Sequence, residues 1–568
     1  MSQFNSRYIF ASTSPRNPEL IPKILEIIEK NKLNGKIYNE DLQKKFYYAW
    51  SNSDFGVKGA KNSKDAAFSG RDKLTRAPQA LGFIETRNGQ PLHITKAGKM
   101  LMKKGLFEDV LLHQMLKFQL PSPLHHEGKE NKGMFCIKPY LELIHLINEL
   151  DYLTYQELEI FGMSMINYKK FGEKVIEITD YRTQRKALKG RKSLKQYDEE
   201  VKRKVYTKIY SDIIDTKKFE TRESKTADAN SYMKKKFRNL RDYTDAVFRT
   251  LRSSGLLILT GGKTMSISPD RKEEVEFLLK NVSREPKPEN TEREKYDDYM
   301  YNPELPALLS DNKKAIEDQL VSLKDDVDSI DDKDIYALKS ELLSERIKKR
   351  NKRVSSQIKK LENKSKEDIK DIINMYELIK RGDVIDAPAM MEWNTWRAIT
   401  MIDNGKIKYN FLPDDNGIPI STAGGNKADI EGEYGKFNML VEVTLSRGKR
   451  QFDTEGESVP RHVGEKQVES KKTTFALFIA NKLEDNVIYH FYTTNIANSK
   501  IYKGRVDVIP MDIESFIEFF KHAVKNNISS NDIFSIHEYS CKVANEVFEN
   551  RKTEEDWYNR VIEYMMKL

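Results

Sequence analysis

The first part of the chain alternates helical periodicity with short apolar runs at turn residues. Residues 66–81 (AAFSGRDKLTRAPQAL) predict a helix, and residues 81–95 (LGFIETRNGQPLHIT) hold two apolar runs flanking an Asn-Gly dipeptide. That dipeptide between apolar runs is a strong signal for a β-hairpin. Residues 97–105 (AGKMLMKKG) then begin another helix. The order helix, hairpin, helix is that of a winged helix.

The same order recurs near residue 231. Residues 231–255 have the periodicity of an amphipathic helix closed by Gly255, and GLLILTGGKTMSIS follows as strand, Gly-Gly turn and strand. Pro269 opens the next predicted helix. The pattern therefore predicts two winged-helix-like units in residues 1–282.

In the rest of the chain, the composition and the periodicity of apolar residues change twice. Residues 283–298 are charged and lack apolar periodicity, which predicts a linker, and residues 311–380 have the period of long charged helices. From about residue 386, strands and helices alternate as in an α/β domain. The predicted strands are KIKYNFL, FNMLVEVTL, TFALFIAN and NVIYHFYTT, and IESFIEFFKHAVKN is a predicted helix. We expect a multidomain α+β chain with boundaries at 1–282, 283–385 and 386–568.

Composition narrows the class of protein. The 568 residues carry 97 Lys and Arg against 87 Asp and Glu, a net charge of +10 that weakly favours a polyanionic partner. The two cysteines, Cys136 and Cys541, exclude a disulfide scaffold and a zinc site built on cysteines, and fit a reducing cytoplasm. No stretch approaches the roughly 18–20 apolar residues of a membrane span, so we expect a cytoplasmic protein without a membrane partner.

The positive charge is concentrated in and near the predicted helices of the two winged-helix-like units. Residues 181–204 contain ten basic and three acidic residues, and residues 231–255 contain seven and two. A single run of this kind is most often a solvated face. Next to two winged-helix-like units, these runs favour contacts with phosphates.

Acidic residues at regular spacing mark the predicted α/β domain. Asp429 precedes the strand that carries Glu442, Glu455 follows thirteen residues later, and His462 lies seven residues beyond it. Carboxylates at a turn and on the next strand can converge on a hard cation such as Mg²⁺, which takes oxygen ligands. An isolated acid on a strand usually faces water, but an acid on a strand this apolar needs a partner. From the residues alone, this is a candidate metal site.

Several separate segments resemble one family. The stretch Ala423 to His462, with AGGNKADIE, LVEVTLSRGKRQF and EGESVPRHV, is similar to the catalytic segment of AlwI-type type IIS restriction endonucleases and their strand-nicking relatives. MEWNTWRAIT (391–400), TSPRNPELIP (13–22) and AAFSGRDKLTRAPQALGF (66–83) resemble the same family, in the same order and with similar spacing.

The resemblance implies a PD-(D/E)xK nuclease domain in which Asp429 and Glu442 bind Mg²⁺, with Mn²⁺ able to substitute. Glu455, His462 and Glu392 match further positions of the family's catalytic centre. Thr444 stands where the wider superfamily has a lysine. Lys449, Gln451 and His462 are the alternatives for that role.

Eight side chains are candidates for contacts with DNA. Arginine suits guanine, asparagine suits adenine, and lysine mostly contacts phosphate, although for any one residue a phosphate contact or a solvated side chain is the commoner case. The candidates are Arg16, Arg71, Lys73, Arg76, Lys235, Arg238, Asn239 and Arg241.

These features predict a type IIS restriction endonuclease that binds a short asymmetric site on double-stranded DNA and cuts outside it. One nuclease domain cuts one strand, so a double-strand break needs a transient homodimer or a small catalytic partner subunit. The product is therefore a nick or a double-strand break. The competing interpretation is a winged-helix DNA-binding regulator without catalysis, for which the acidic cluster would have no use. A structural or interaction protein, suggested by the charged helices, carries little weight.

Overall fold

A computed structural model describes residues 2–10, 13–53, 65–219, 228–324, 333–402, 406–424 and 427–568. The chain divides into two compact units, with the division between Lys349 and Arg350. Residues 325–332 of the predicted helical stretch lie outside the described residues. Within the described residues, no helix is both long enough and apolar enough to cross a membrane.

The first unit is mainly helical, with three small sheets. Its α-helices are Leu20–Lys30, Glu40–Ser51, Ala66–Thr75, Ala77–Ala80, Lys96–Leu101, Phe107–Lys117, Pro139–Glu149, Tyr155–Glu157, Phe171–Lys186, Arg191–Ile209, Ser211–Asp215, Ala229–Ser253, Lys272–Asn281, Arg293–Tyr301 and Lys313–Leu323. Its strands are Ser2–Phe4 beside His125–Glu127, Ile84–Glu85 beside His93–Ile94, and Leu153–Thr154, Thr264–Ile267 and Leu257–Thr260 in that order. The helix Ile335–Leu361 contains the division between the units.

Both predicted hairpins form antiparallel pairs. Ile84 pairs with Ile94, and Leu257 pairs with Ile267. Gly261 and Gly262 turn the second hairpin at φ values of 56° and 64°, in the left-handed region that glycine tolerates. One detail differs from the sequence prediction, because the helix expected over 66–81 is interrupted at Arg76. Pro78 has no N–H to donate to the carbonyl of Leu74 and its ring crowds that carbonyl, so Ala66–Thr75 ends and Pro78 lies in the first turn of the separate helix Ala77–Ala80.

The segment predicted as a linker makes specific contacts within the first unit. Arg284 donates to the buried carboxylate of Glu142 (Nε–Oε1 2.8 Å), and the backbone N–H of Lys287 donates to Gln119 at 2.9 Å. The helix Arg293–Tyr301 buries Tyr296 and Met300. Residues 283–301 are therefore packed onto the first unit.

The second unit is built on one mixed sheet. The strand order across the sheet is Asp507–Asp512, Thr473–Ala480, Phe437–Thr444, Ile430–Glu433 and Lys406–Tyr409. The first three strands are parallel to one another. Ile430–Glu433 pairs antiparallel with both of its neighbours. A small antiparallel pair, Leu412–Pro413 and Pro419–Ser421, lies apart from it. The helices wholly within the unit are Lys366–Lys380, Ala387–Ile402, Lys449–Ser470, Asp485–Ile496, Ile513–Asn526, Ser530–Glu549 and Glu554–Met565.

Alternation along the central strands directs side chains to two apolar layers. Leu440, Ala476 and Phe478 pack in one cluster with Val459 and Val463 of the helix Lys449–Ser470. The intervening positions Met439, Phe475 and Leu477 face a second group of side chains that includes Ile399, Phe519 and Ile536. A strand buried on both faces reads as a continuous apolar run, which is why these two strands are recognisable in the sequence.

The strand predicted for NVIYHFYTT is wrong. These residues belong to the helix Asp485–Ile496, which buries Val487, Phe491, Tyr492 and Asn495. That spacing places the four on one side of a helix. The aromatic and β-branched residues have strand propensity, and packing of this face against the sheet overrides it.

Candidate metal centre

Two acids meet because their strands are neighbours. Asp429 immediately precedes the strand Ile430–Glu433, and Glu442 lies on the adjacent strand Phe437–Thr444. The register pairs Ile430 with Val441, which brings Asp429 level with the end of the second strand. The backbone N–H of Val443 donates to Asp429 Oδ2 at 2.8 Å. This bond fixes the Asp429 carboxylate beside the residue that follows Glu442.

The helix Lys449–Ser470 supplies two further groups. Glu455 and His462 are seven residues apart and so lie on one face of the helix. His462 Nδ1 lies 2.7 Å from Glu442 Oε1, and the Thr444 hydroxyl donates to Glu455 at 2.9 Å. His462 thus lies well inside the helix, about two turns after Glu455.

Proline inside this helix is accommodated by a side chain from a neighbouring helix. Pro460 has no N–H to donate to the carbonyl of Gly456, four residues earlier. His490 Nε2 lies 2.6 Å from that carbonyl oxygen and takes its place as donor. The helix therefore continues through Pro460 and presents both Glu455 and His462.

Glu392 joins the centre from another helix. It lies on Ala387–Ile402, is 5% exposed, and accepts the N–H of Ala423 at 2.8 Å. Trp393 and Trp396 of the same helix are 8% and 0% exposed and belong to the core.

The four carboxylates share one poorly solvated region. Burial raises the pKa of Glu442 well above its usual range, and the charge of Glu455 raises it further. Burial also raises the pKa of Asp429 and of Glu392, with the charge of Glu442 adding to both and Asp429 adding to Glu392. The pKa of Glu455 is raised by burial despite hydrogen bonds from Thr444 and Thr454. Among the described residues, no lysine or arginine forms an ion pair with any of the four.

His462 is neutral in this setting. Burial, together with the positive charge of Arg461, lowers its pKa to about 4. Its two ring nitrogens have different neighbours: Nδ1 faces Glu442, and Nε2 lies 3.3 Å from Arg461 Nη2. A neutral imidazole with its proton on Nδ1 satisfies both, donating to the carboxylate and accepting from the guanidinium.

The donor set suits a hard divalent cation. Several carboxylates in a region of low dielectric repel each other, and a cation beside them would offset that repulsion. The ligand atoms of these carboxylates are oxygens, which Mg²⁺ prefers. Mg²⁺ usually binds only one or two protein carboxylates because it keeps several waters. Among the described residues, Asp507, His537 and Cys541 form the group in which three ligand atoms lie within 4.8 Å of one another. No three ligand atoms from the described residues of this centre are that close to one another.

The three alternatives for the role of the missing lysine differ in their burial and contacts. Gln451 is fully buried and committed, since its amide donates to the carbonyls of Ser446 and Lys482 at 3.0 and 2.8 Å. Lys449 is exposed at the start of its helix. His462 is the alternative that contacts one of the acids.

The candidate DNA-contacting residues lie partly together in the first unit. Arg16 pairs with Asp242 (2.9 Å) on the helix Ala229–Ser253, which also carries the exposed Arg238 and Arg241 and the half-buried Lys235 and Asn239. Arg76 donates to Thr13 at 3.0 Å, close to Arg16 in the chain.

Two other candidates are engaged by aromatic rings. The Arg71 guanidinium lies 4.9 Å from the Phe68 ring centroid, and Lys73 Nζ lies 4.9 Å from that of Trp50. Burial lowers the pKa of Lys73. Lys73 is therefore held against the protein, while Arg71 remains exposed.

Sequence reasoning missed the residues that hold the centre in place. Thr444 was noted only as the absence of lysine, and its hydroxyl orients Glu455. Asn410 donates to the carbonyl of Ala428 at 2.8 Å and to Glu431 at 2.9 Å, which anchors the backbone just before Asp429. Neither residue carries a spacing signal, because the Asn410 contacts depend on strand pairing and the Thr444 contact depends on the packing of the helix Lys449–Ser470.

A family model and two solved structures are similar to this chain. A family model described as RE_AlwI, AlwI restriction endonuclease, matches residues 79–519. The crystal structure of the small subunit (R.BspD6I2) of the heterodimeric restriction endonuclease R.BspD6I matches at 26% identity, covering 34% of this chain and 98% of that chain, with a TM-score of 0.29. The BpuJ1 endonuclease binding domain, solved with pyrene- and phenanthrene-modified DNA, matches at 13% identity, covering 53% and 98%, with a TM-score of 0.32. No curated protein matches.

Proposed function

The chain belongs to the AlwI restriction endonuclease family and is a nuclease, and we propose that it is a type IIS enzyme that binds a short asymmetric duplex site and hydrolyses a phosphodiester outside it. The observation that carries the proposal is the cluster of Glu392, Asp429, Glu442 and Glu455 with the neutral His462. Clustered carboxylates with raised pKa values are costly for folding and useful at a catalytic centre.

The second unit acts in this proposal as a PD-(D/E)xK-type nuclease domain. Asp429 and Glu442 would hold Mg²⁺, with Mn²⁺ able to substitute. The cation would supply acidification of a water and neutralisation of charge on the phosphate. The Val443 N–H and His462 hold the two carboxylates at fixed oxygens, Asp429 Oδ2 and Glu442 Oε1.

Glu455 is suited to proton transfer. Its pKa is raised by burial, so the carboxylate is a stronger base than one in water. Thr444 holds its Oε1, and the carboxylate can accept the proton of an attacking water. His462 positions Glu442 through its Nδ1. Glu392 is a further carboxyl group of the centre, and burial and the charge of Asp429 raise its pKa.

The first unit supplies recognition in this proposal. Two helix–hairpin units of winged-helix type, within residues 1–282, would place the helices Ala66–Thr75 and Ala229–Ser253 against the duplex. Arg16, Arg76, Arg238 and Arg241 are exposed and would contact bases or phosphates. The exposed lysines of residues 186–204 would add phosphate contacts, whose binding energy falls with salt.

One centre per chain cuts one strand in each encounter. Double-strand cleavage would require a second catalytic domain, from a transient homodimer or a small partner subunit, and a chain acting alone would nick. The free thiols of Cys136 and Cys541 suit a reducing cytoplasm, where the DNA substrate also lies.

Supercoiled plasmid incubated with the full-length protein tests this proposal. We expect nicked or linear product with Mg²⁺ and intact plasmid with EDTA. Run-off sequencing of the product gives the site, the distance to the cut and the strand. Cutting that persists in EDTA, or cuts without a common neighbouring sequence, would rule out the proposed mechanism or the type IIS assignment respectively.

A further inference from the structure

A second cluster of potential ligands lies in the same unit, away from the acids described above. Asp507 begins the edge strand Asp507–Asp512, and His537 and Cys541 lie one turn apart on the helix Ser530–Glu549. His537 Nε2 lies 2.9 Å from Asp507 Oδ2 and 3.4 Å from Cys541 Sγ. One ligand atom from each residue lies within 4.8 Å of the other two.

The polar atoms of this cluster are buried and incompletely paired. Asp507 and His537 are each 7% exposed, and Cys541 is 9% exposed. Asp507 Oδ1 and His537 Nδ1 have no hydrogen-bond partner among the described residues. No lysine or arginine of the described part of the chain forms an ion pair with Asp507. A buried carboxylate with an unpaired oxygen is costly unless a cation compensates it.

The geometry points to a metal site at Asp507, His537 and Cys541, and we propose that these three residues bind one zinc-type transition-metal ion, with a water in the fourth position. Carboxylate oxygen, imidazole nitrogen and thiolate sulfur are the three ligand types that Zn²⁺ takes in proteins. Tetrahedral coordination places such ligand atoms roughly 3.3–3.6 Å apart. The 3.4 Å between His537 Nε2 and Cys541 Sγ lies in that range, and the 2.9 Å between His537 Nε2 and Asp507 Oδ2 would lengthen on binding. A hard ion such as Mg²⁺ does not select sulfur. Binding would release the Cys541 thiol proton to solvent, and the imidazole proton would then lie on His537 Nδ1, so that Nε2 is free to bind the ion.

Neighbouring aromatic residues hold the imidazole in place for this role. The Phe475 ring stacks on His537 with centroids 4.8 Å apart and an interplanar angle of 18°. Phe475 also pairs with Asp507 in the sheet, so one residue orients both ligands. The ion would therefore tie the edge strand to the helix Ser530–Glu549.

The alternative of a nucleophilic cysteine does not fit the arrangement. In a proton relay the cysteine and the acid contact opposite ring nitrogens, whereas here both contact His537 Nε2. Burial also raises the pKa of Cys541 to about 12, which disfavours a free thiolate.

The site is separate from the nuclease centre. Phe475 and Glu442 belong to opposite faces of the sheet, since Glu442 shares the side of Leu440 and Phe475 that of Met439. Glu442 pairs with Phe478, three residues further along the strand than Phe475. Occupancy can therefore be tested without reference to cleavage, and the inference does not rest on the proposed function.

Cobalt substitution in the full-length chain tests the proposal, because Co²⁺ reports its ligands through its absorption. Protein freed of metal by chelation is titrated with Co²⁺. We expect a thiolate-to-cobalt charge-transfer band, with intense visible bands typical of a tetrahedral site, saturating at one ion per chain and abolished by added Zn²⁺. The absence of the charge-transfer band at saturating Co²⁺ in the unmodified chain would overturn the proposal.

Two cysteines make a matched pair of variants possible. Cys541→Ser should lose the band, and Cys136→Ser should retain it. Glu442→Ala, which removes an acid of the nuclease centre, should retain it as well. A band that survives Cys541→Ser, or disappears with Cys136→Ser, would show that the ion binds elsewhere. Because the unmodified chain is itself measured, a variant that fails to fold does not prevent a decision.

Discussion

At the scale of single residues, the candidate nuclease centre is defined by unfavourable electrostatics. Glu442 is 6% exposed, and its carboxylate contacts the neutral imidazole of His462 at 2.7 Å. Burial raises its pKa well above the usual range, the charges of Glu455 and Glu431 raise it further, and the charge of Arg461 offsets only part of the rise. Such a group stores free energy that a cation can release, so its removal should affect cleavage and stability in opposite directions.

Glu442→Gln should reduce cleavage by about 10³-fold or more, because it removes a metal ligand while keeping the size of the side chain. Asp429→Asn should act alike. Binding of the target duplex without metal should stay equal or tighten, since negative charge near phosphate is removed. Plasmid cleavage and gel shifts measure the two effects. Glu433→Gln, at an exposed acid of the neighbouring strand, is the control and should cut normally. Near-normal cutting by Glu442→Gln would make the assignment wrong.

Without divalent cations, Glu442→Gln should be more stable than the unmodified chain, by about 1–2 kcal/mol at pH 8. The folded state raises the pKa of Glu442, so this group favours folding below its unfolded pKa and loses that contribution as pH rises through the folded pKa. The advantage of the variant should therefore shrink as the pH falls toward 4. Thermal unfolding in EDTA at several pH values measures it. A variant less stable at pH 8 would contradict the expected burial of charge.

At the scale of elements, the helix Lys449–Ser470 decides whether the centre assembles. It carries Glu455 and His462, and it packs on the sheet through Val459 and Val463. Its position also depends on Gly464, where a Cβ would lie 2.2 Å from Cγ of Tyr502. A shift of this helix would separate His462 from Glu442 without altering either residue.

Gly464→Ala should destabilise the protein by about 1–3 kcal/mol, because the added methyl overlaps the near end of the Tyr502 ring. Cleavage should fall even at temperatures where the variant is folded. Gly456→Ala is the matched control, since its Cβ would lie 3.3 Å from the ring of Phe452, a side chain at the surface. That change should be neutral or stabilise by up to about 1 kcal/mol. Chemical denaturation compares the two, and equal effects would contradict the packing argument.

At the scale of the whole molecule, the first unit extends beyond the predicted recognition region. Lys339 donates to Asp109 and Asp311 at 2.7 and 2.6 Å, and Arg284 pairs with the buried Glu142. Hydrogen bonds from His113 and the charges of His113 and Lys339 outweigh burial and lower the pKa of Asp311 to about 2. Residues 283–349 therefore stabilise the fold of the residues that precede them.

A fragment of residues 1–349 should fold and bind the target duplex, whereas residues 1–282 should be markedly less stable, because truncation leaves Glu142 and Asp109 without their partners.

Binding of the duplex by the 1–349 fragment should weaken by roughly three to five decades between 50 and 200 mM salt for about 6–10 phosphate contacts. Gel shifts with the site found by run-off sequencing and with a scrambled duplex measure this. Equal binding to both duplexes would show that base readout requires the second unit.

Much of the second unit was predictable because burial on both faces leaves a clear trace. Phe437–Thr444 and Thr473–Ala480 are continuous apolar runs, and Glu442 is conspicuous as the one acid in its run. Asp485–Ile496 was misread because its aromatic residues are typical of strands when considered without their neighbours. The linker prediction failed to anticipate the contacts of Arg284 and Lys287, because those partners are more than 140 residues away in sequence.

By itself, the sequence determined the mixed helix-and-strand character, the two hairpins, and the family to which the chain belongs. These depend on local periodicity, turn residues and motif order, all of which can be read directly from the amino-acid sequence. Tertiary structure alone decided that Thr444 orients Glu455, that His462 contacts Glu442, and that Asp507 lies beside His537 and Cys541. Strand register and helix packing create those contacts, and both are set by the burial of side chains from distant segments, which no local pattern records.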